Sequence, residues 1–192
     1  MPIKKDLADF RVAILATDGV EDAELRDPKQ ALEKAGATTT LIAPKQETIQ
    51  SFKHFDKANK FAVDMTLAEA DAKEFDAVLL PGGALNADTM RVQSSAQEFV
   101  REMDRQGKPI AVICHAPWLL VSAGLVRGRT MTSYHTIQDD IRNAGAKWQD
   151  AEVVRDRNWV SSRQPSDIPA FNRAMIEMFS EKKSSGEARR AA

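Results

Sequence analysis

One stretch constrains this chain more than any other: Pro109-Ile-Ala-Val-Ile-Cys-His-Ala-Pro-Trp-Leu-Leu-Val-Ser-Ala-Gly124. Ile110–Ile113 is a short apolar run rich in β-branched residues, the pattern of a strand buried on both faces. Residues 115–123 follow as a helix, with Pro117 in the first turn and Gly124 at the stop. Between strand and helix stands Cys114, the single cysteine of the chain. A side chain at so sharp a strand-to-helix turn points out of the sheet top into a crevice, as a nucleophile does on an elbow. The start of the helix, with its free N–H groups, then favours the thiolate. The competing reading of Cys114 is a small buried core residue.

The rest of the chain supports a sheet around that strand. Arg11-Val-Ala-Ile-Leu-Ala16 reads as a first strand, followed by an acid-rich loop over residues 18–24 and a helix over 28–35 closed by Gly36. Thr38–Ala43 is a second strand, so the segment is a right-handed parallel βαβ unit. Residues 47–52 and 60–63 suggest a hairpin turning at 56–59, and 67–71 a single helical turn. Ala77–Leu80 is a strand ending in Pro81-Gly82-Gly83. Residues 87–106 are helical with a break near Ser94. A short strand at 130–132, a helix at 135–143, two strands joined by a turn at 156–158, and a last helix over 167–179 capped by Ser166 complete the pattern. On that helix Met175, Met178 and Phe179 share a core-facing side. The expected fold is a flavodoxin-like, doubly wound α/β sandwich with a mostly parallel central sheet. It forms one domain over residues 1–181, and residues 182–192 are a polar, frayed tail. In such sheets ligands bind beyond the carboxyl ends of the strands. The stretches 17–24, 81–88 and 114–118 leave strands there together.

Composition narrows the function. The chain has 192 residues, 43% hydrophobic and 29% charged, with a net charge of −1. That balance lacks the basic surface that nucleic acid or an anionic membrane requires. No apolar run approaches the roughly 20 residues of a membrane span, and residues 1–10 hold no apolar signal core. A lone cysteine makes no internal disulfide, which fits a reducing cytoplasm. His54, His115 and His135 are scattered without metal-ligand spacing, so neither metal nor other cofactor is expected.

Several motifs carry a family resemblance. Leu80-Pro-Gly-Gly83, Ala111-Val-Ile-Cys-His-Ala-Pro117, Gly128-Arg-Thr, Thr132-Ser-Tyr134, Asp139-Asp140, Asn143-Ala-Gly145, Asp150-Ala-Glu-Val-Val154 and Val160-Ser-Ser-Arg163 stand in the order and spacing of the ThiJ/PfpI superfamily. The chain resembles its PfpI-type intracellular cysteine proteases and their bacterial general-stress relatives over residues 10–181. The resemblance implies Cys114 as nucleophile and, beside it, a carboxylic acid from the loop after the first strand, matched here to Glu21. A carboxyl pressed against a thiolate keeps its proton and donates it as a hydrogen bond; without the resemblance, Glu21 is a solvated loop acid. The resemblance also makes His115 catalytic, assigns an oxyanion hole to the N–H groups of Gly83 and His115, and brings Asp88 from a neighbouring subunit to the site. Tyr134 and Trp118 become pocket walls. Taken alone, these are respectively a solvated histidine, a turn, a helix-terminal acid and packed aromatics. Ala116 replaces the family's usual glycine, and its methyl group is expected to crowd the elbow. Asp88 is shorter than the glutamate of the archaeal proteases.

The functional expectation is a stress-response enzyme whose cysteine attacks a carbonyl carbon. Peptide hydrolysis leads, and cofactor-independent conversion of reactive dicarbonyls or their protein adducts, of glyoxalase III or deglycase type, is the alternative. A redox-sensing or chaperone protein without turnover is the reading from another class. The partners implied are a small carbonyl compound or a peptide or protein substrate, and further copies of the same chain.

Overall fold

The computed structural model describes the backbone of residues 7–191, and side chains through residue 186. In chain order the elements are β1 (Arg11–Leu15), β2 (Val20–Glu21), α1 (Asp22–Lys34), β3 (Thr38–Ala43), β4 (Thr48–Lys53), β5 (Asp56–Ala62), β6 (Met65–Thr66), β7 (Ala77–Leu80), α2 (Ala84–Arg91), α3 (Ser94–Arg105), β8 (Ile110–Ile113) and α4 (Pro117–Ser122). They continue with β9 (Thr130–Met131), α5 (Gln138–Asn143), β10 (Lys147–Trp148), β11 (Val153–Asp156), β12 (Trp159–Ser162) and α6 (Ile168–Ala191). The main sheet runs β11-β12-β8-β7-β1-β3-β6. All its pairings are parallel except β11 with β12.

The period-2 geometry of the strands sorts the core into two halves. Val78 and Leu80 of β7 and Val112 of β8 face one way, packing with Met90, Phe99, Val100, Met103, Leu119 and Ile141 from α2 to α5. Leu79, Ala111 and Ile113 face the other way, onto Leu25 and Leu32 of α1 and Phe171, Met175 and Phe179 of α6. With both faces covered, the strands need no polar face, which is why β7 and β8 are apolar throughout. The chain runs from β1 outward to β3, then returns to place β7 on the other side of β1. That reversal opens a crevice at the carboxyl ends of β1, β7 and β8. Above it stands the β4–β5 hairpin, joined to the body through the parallel pairing of β2 with β4.

Two helices begin earlier than expected, α2 at Ala84 rather than Ala87 and α1 before Pro28. The first helix begins at Asp22, with Pro28 in its interior rather than at its start. Residues 18–24 are therefore a short strand and the first helical turn, not an extended loop. Residues 182–191 stand as the continuation of α6, and Lys182 donates to the Gly107 carbonyl at 2.8 Å. Ala192 lies outside the described residues. Among the described residues, no helix is long and apolar enough to cross a membrane.

Candidate active site

Cys114 sits where β8 ends and adopts φ +64°, the left-handed region that costs a non-glycine residue about 1–3 kcal/mol. Two hydrogen bonds hold it there. Its N–H donates to the Ser162 carbonyl at 3.1 Å, and its own carbonyl accepts from the Tyr134 N–H at 2.9 Å. The kink aims the side chain across the crevice toward the loop after β7. There the N–H groups of Gly83 and His115 lie beside the sulfur and favour its anion. Gly83 has φ +90°, and a Cβ on it would stand 2.3 Å from the Gly19 carbonyl oxygen and 2.6 Å from the Glu21 nitrogen, so no side chain fits.

The carboxyl against Cys114 is that of Glu24, not Glu21. Glu24 lies on the buried stripe of α1 with Leu25, Pro28 and Leu32, and none of it is exposed. Its Oε2 accepts the Gly82 N–H at 2.9 Å. Its Oε1 is buried without a well-aligned hydrogen bond, and the Cys114 thiol is the partner group beside it. Glu21 belongs to β2 and pairs in register with Phe52, which turns its side chain to the crevice mouth. There its Oε2 accepts the His54 N–H at 3.1 Å.

Burial dominates the electrostatics. Desolvation pushes the Glu24 carboxyl up to about 8, against a smaller opposing pull from its hydrogen bonds. It holds the Cys114 thiol well above its ordinary range too, with the Glu24 charge acting in the same direction and the Gly83 and His115 N–H groups opposing. The expected thiolate-favouring balance is therefore reversed: Cys114 is 6% exposed rather than at an open crevice edge. The two acids cannot both ionise at contact distance, so at neutral pH the pair retains its protons.

His115 does reach the sulfur, with Nδ1 3.2 Å from Sγ and Nε2 3.4 Å from the Thr136 hydroxyl. Its ring stacks on Tyr134 at 4.8 Å between centroids. Burial, and then the nearby His135, lower its pKa, so it is a neutral imidazole able to take a proton from the thiol. Tyr134 lines the crevice beside Cys114. Trp118 does not line it: its ring meets His115 edge-on at 5.5 Å, and its Nε1 donates to Asp140 at 2.9 Å. Asp88 is exposed on α2 and lines no part of the crevice. Ala116 has ordinary right-handed helical angles and packs beside Leu80 and Leu119, so its methyl group does not crowd the elbow.

The crevice encloses about 480 Å³ over Cys114, Glu24 and His115. Glu21, His54 and the 96% exposed Phe55 form one rim, and Gln164, Pro165 and Ser166 the other. A thiol with a neutral base on one side, a protonated carboxyl on another and two N–H donors suits attack on an electrophilic carbon with proton transfer. Glu24 is the functional group that the motifs did not single out. Its signal is the four-residue spacing Glu24, Pro28, Leu32, which places a lone acid on the apolar stripe of α1.

The model of the DJ-1/PfpI family matches residues 10–178. A deglycase of Pyrococcus abyssi is 44% identical over 170 residues, 88% of this chain and 99% of that protein. A Bacillus subtilis protein provisionally named a cysteine protease is 37% identical over 169 residues, 88% of this chain and 98% of its own. Among solved structures, DJ-1beta of Drosophila melanogaster superposes with a TM-score of 0.82 at 26% identity, covering 95% of this chain and 96% of that one.

Proposed function

The chain belongs to the DJ-1/PfpI family, and from that premise we propose that it is a deglycase, in which Cys114 removes α-oxoaldehyde adducts from amino groups. One observation carries the reading: a fully buried carboxyl, Glu24, with its pKa near 8, set against the cysteine. A group that gains and loses a proton near neutral pH suits proton transfer between neighbouring carbons. The relatives named as deglycases support the same choice over peptidase activity.

The steps balance without an added oxidant. The sulfur–carbon bond forms at the adduct's carbinol carbon as the carbon–nitrogen bond breaks, and the thiol proton passes through His115 to the departing amine. Glu24, protonated at the start, gives its proton to the ketone oxygen as it takes the hydrogen on that carbon as a proton, which leaves an enediol. It then delivers that proton to the former carbonyl carbon and takes the proton of the carbinol hydroxyl, so the ketone is reduced, the carbinol is oxidised and the product is a thioester of a 2-hydroxy acid. Water cleaves the thioester, releasing the acid and restoring the thiol. The N–H groups of Gly83 and His115 hold the oxygen charge that develops on the way. Asp88 enters only if a second copy of the chain brings its α2 to the crevice mouth.

The test incubates wild type and Cys114→Ala with methylglyoxal-modified N-acetylarginine and, separately, with a fluorogenic peptide. Release of lactate and free N-acetylarginine by wild type alone is the expected result. Peptide cleavage without lactate assigns the site to hydrolysis, and stoichiometric oxidation of Cys114 without turnover of either substrate assigns it to sensing.

A further inference from the structure

Asn86 belongs to no recognised motif and lines no part of the crevice, yet it is 98% buried between the loops after β1 and β7. Its Nδ2 donates to the Pro81 and Gly82 carbonyls, both at 3.0 Å. Its Oδ1 accepts the Thr17 N–H at 2.7 Å, tying the loop after β1 to the loop after β7. The Gly82 carbonyl also accepts the Glu21 N–H at 3.3 Å. That carbonyl shares a peptide plane with the Gly83 N–H, and no peptide bond in the described structure is cis. In a trans peptide the C=O and N–H point in opposite directions. Fixing the Gly82 carbonyl toward Asn86 therefore fixes the Gly83 N–H toward the sulfur.

The restraint matters because the plane is flanked by two glycines, which resist rotation less than any other residue pair. A half-turn of this one peptide would set a carbonyl oxygen against Cys114 in place of an N–H donor. We propose that Asn86 is a positioning residue that sets the polarity of the oxyanion hole by locking the Gly82–Gly83 peptide. The inference rests on the proposed reaction for its effect on turnover, but not for its effect on the thiol.

Two variants separate this role from a merely structural one. Asn86→Ala removes both donors and the acceptor; Asn86→Asp keeps the acceptor for Thr17 and loses the donors to Gly82 and Pro81. Loss of the Gly83 N–H from the thiolate shifts the thiol by about one pH unit, so iodoacetamide alkylation of Cys114 at pH 9 slows about tenfold in both. In the deglycase assay kcat falls about a hundredfold while KM stays within about threefold. A lowered melting temperature with alkylation within about twofold of wild type would overturn the proposal. If neither variant folds, nuclear magnetic resonance of the wild type decides. The Gly83 amide shift should follow Cys114 ionisation, and the Asn86 side-chain amide should be protected from exchange; absence of either overturns the proposal. Because alkylation needs no substrate, a wild type that turns over no adduct refutes the proposed function and still leaves the role of Asn86 decided.

Discussion

Glu24→Gln should make this protein more stable and less active at the same time. Folding takes the carboxyl from an ordinary value of 4.5 to about 8, with desolvation as the main cause. The raised value means that the folded state keeps a proton which the unfolded chain releases. Below pH 4.5 both states are protonated and the group costs nothing. Between 4.5 and 8 the folded state loses stability at about 1.4 kcal/mol per pH unit. The accumulated cost is about 3 kcal/mol at pH 7 and about 5 kcal/mol above pH 8. Glutamine carries no such charge, and its amide oxygen can accept the Gly82 N–H while its NH2 faces the thiol. Urea unfolding at pH 5, 6, 7 and 8 should give stability curves that meet near pH 5 and diverge toward pH 8, with the variant above. Deglycase turnover by the variant should fall by about 10²-fold or more, because an amide carries no proton between carbons. Stability curves that stay parallel from pH 5 to 8 would refute the argument, since they would mean that Glu24 titrates alike in the folded and unfolded chains.

Gly83→Ala should cost more than about 3 kcal/mol in urea unfolding and abolish turnover, because its Cβ would overlap the Gly19 carbonyl oxygen at 2.3 Å in a left-handed backbone; a variant of wild-type stability would show that this loop moves freely. Light scattering at tens of micromolar (roughly the range in which weak interfaces still populate) should show a dimer or larger species, because the family resemblance assigns Asp88 to the crevice of a neighbouring copy; a strict monomer removes Asp88 from the site. Truncation after Glu181 deletes the Lys182 to Gly107 hydrogen bond at the surface, so it should cost about 1 kcal/mol or less and leave turnover unchanged; a larger loss by thermal unfolding would show that the last turns of α6 dock the helix.

The legible parts of the fold are those where one physical effect decides alone. Ala77–Leu80 and Ile110–Ile113 are strands to the residue, because strands covered on both faces must be apolar from end to end; Thr38–Ala43 is also a strand to the residue, marked by its β-branched threonines and Ile42. The elbow was legible for a similar reason: a buried strand that meets Pro117 so soon leaves Cys114 at a sharp turn. The acid was not legible, because two rules compete at Pro28. Proline is favoured in the first turn of a helix, which makes residues 18–24 look like a loop, and the family resemblance then matches the acid of that loop to Glu21. In the fold Pro28 stands inside α1. There it has no N–H for the carbonyl four residues earlier, and that residue is Glu24. The helix therefore tolerates a missing bond beside the very residue whose carboxyl is fully buried. Burial also explains the wrong sign for Cys114. Sequence reasoning weighed the helix N-terminus and a neighbouring proton, both local, against an exposure that only the packed structure reveals. Asn86 escaped notice because the helix it belongs to appeared to begin at Ala87, whereas α2 begins at Ala84 and carries Asn86 inward in its first turn. In both misread helices the error was a late start. The residues lost were the first-turn side chains that face the carboxyl ends of the strands, where an α/β sheet does its chemistry.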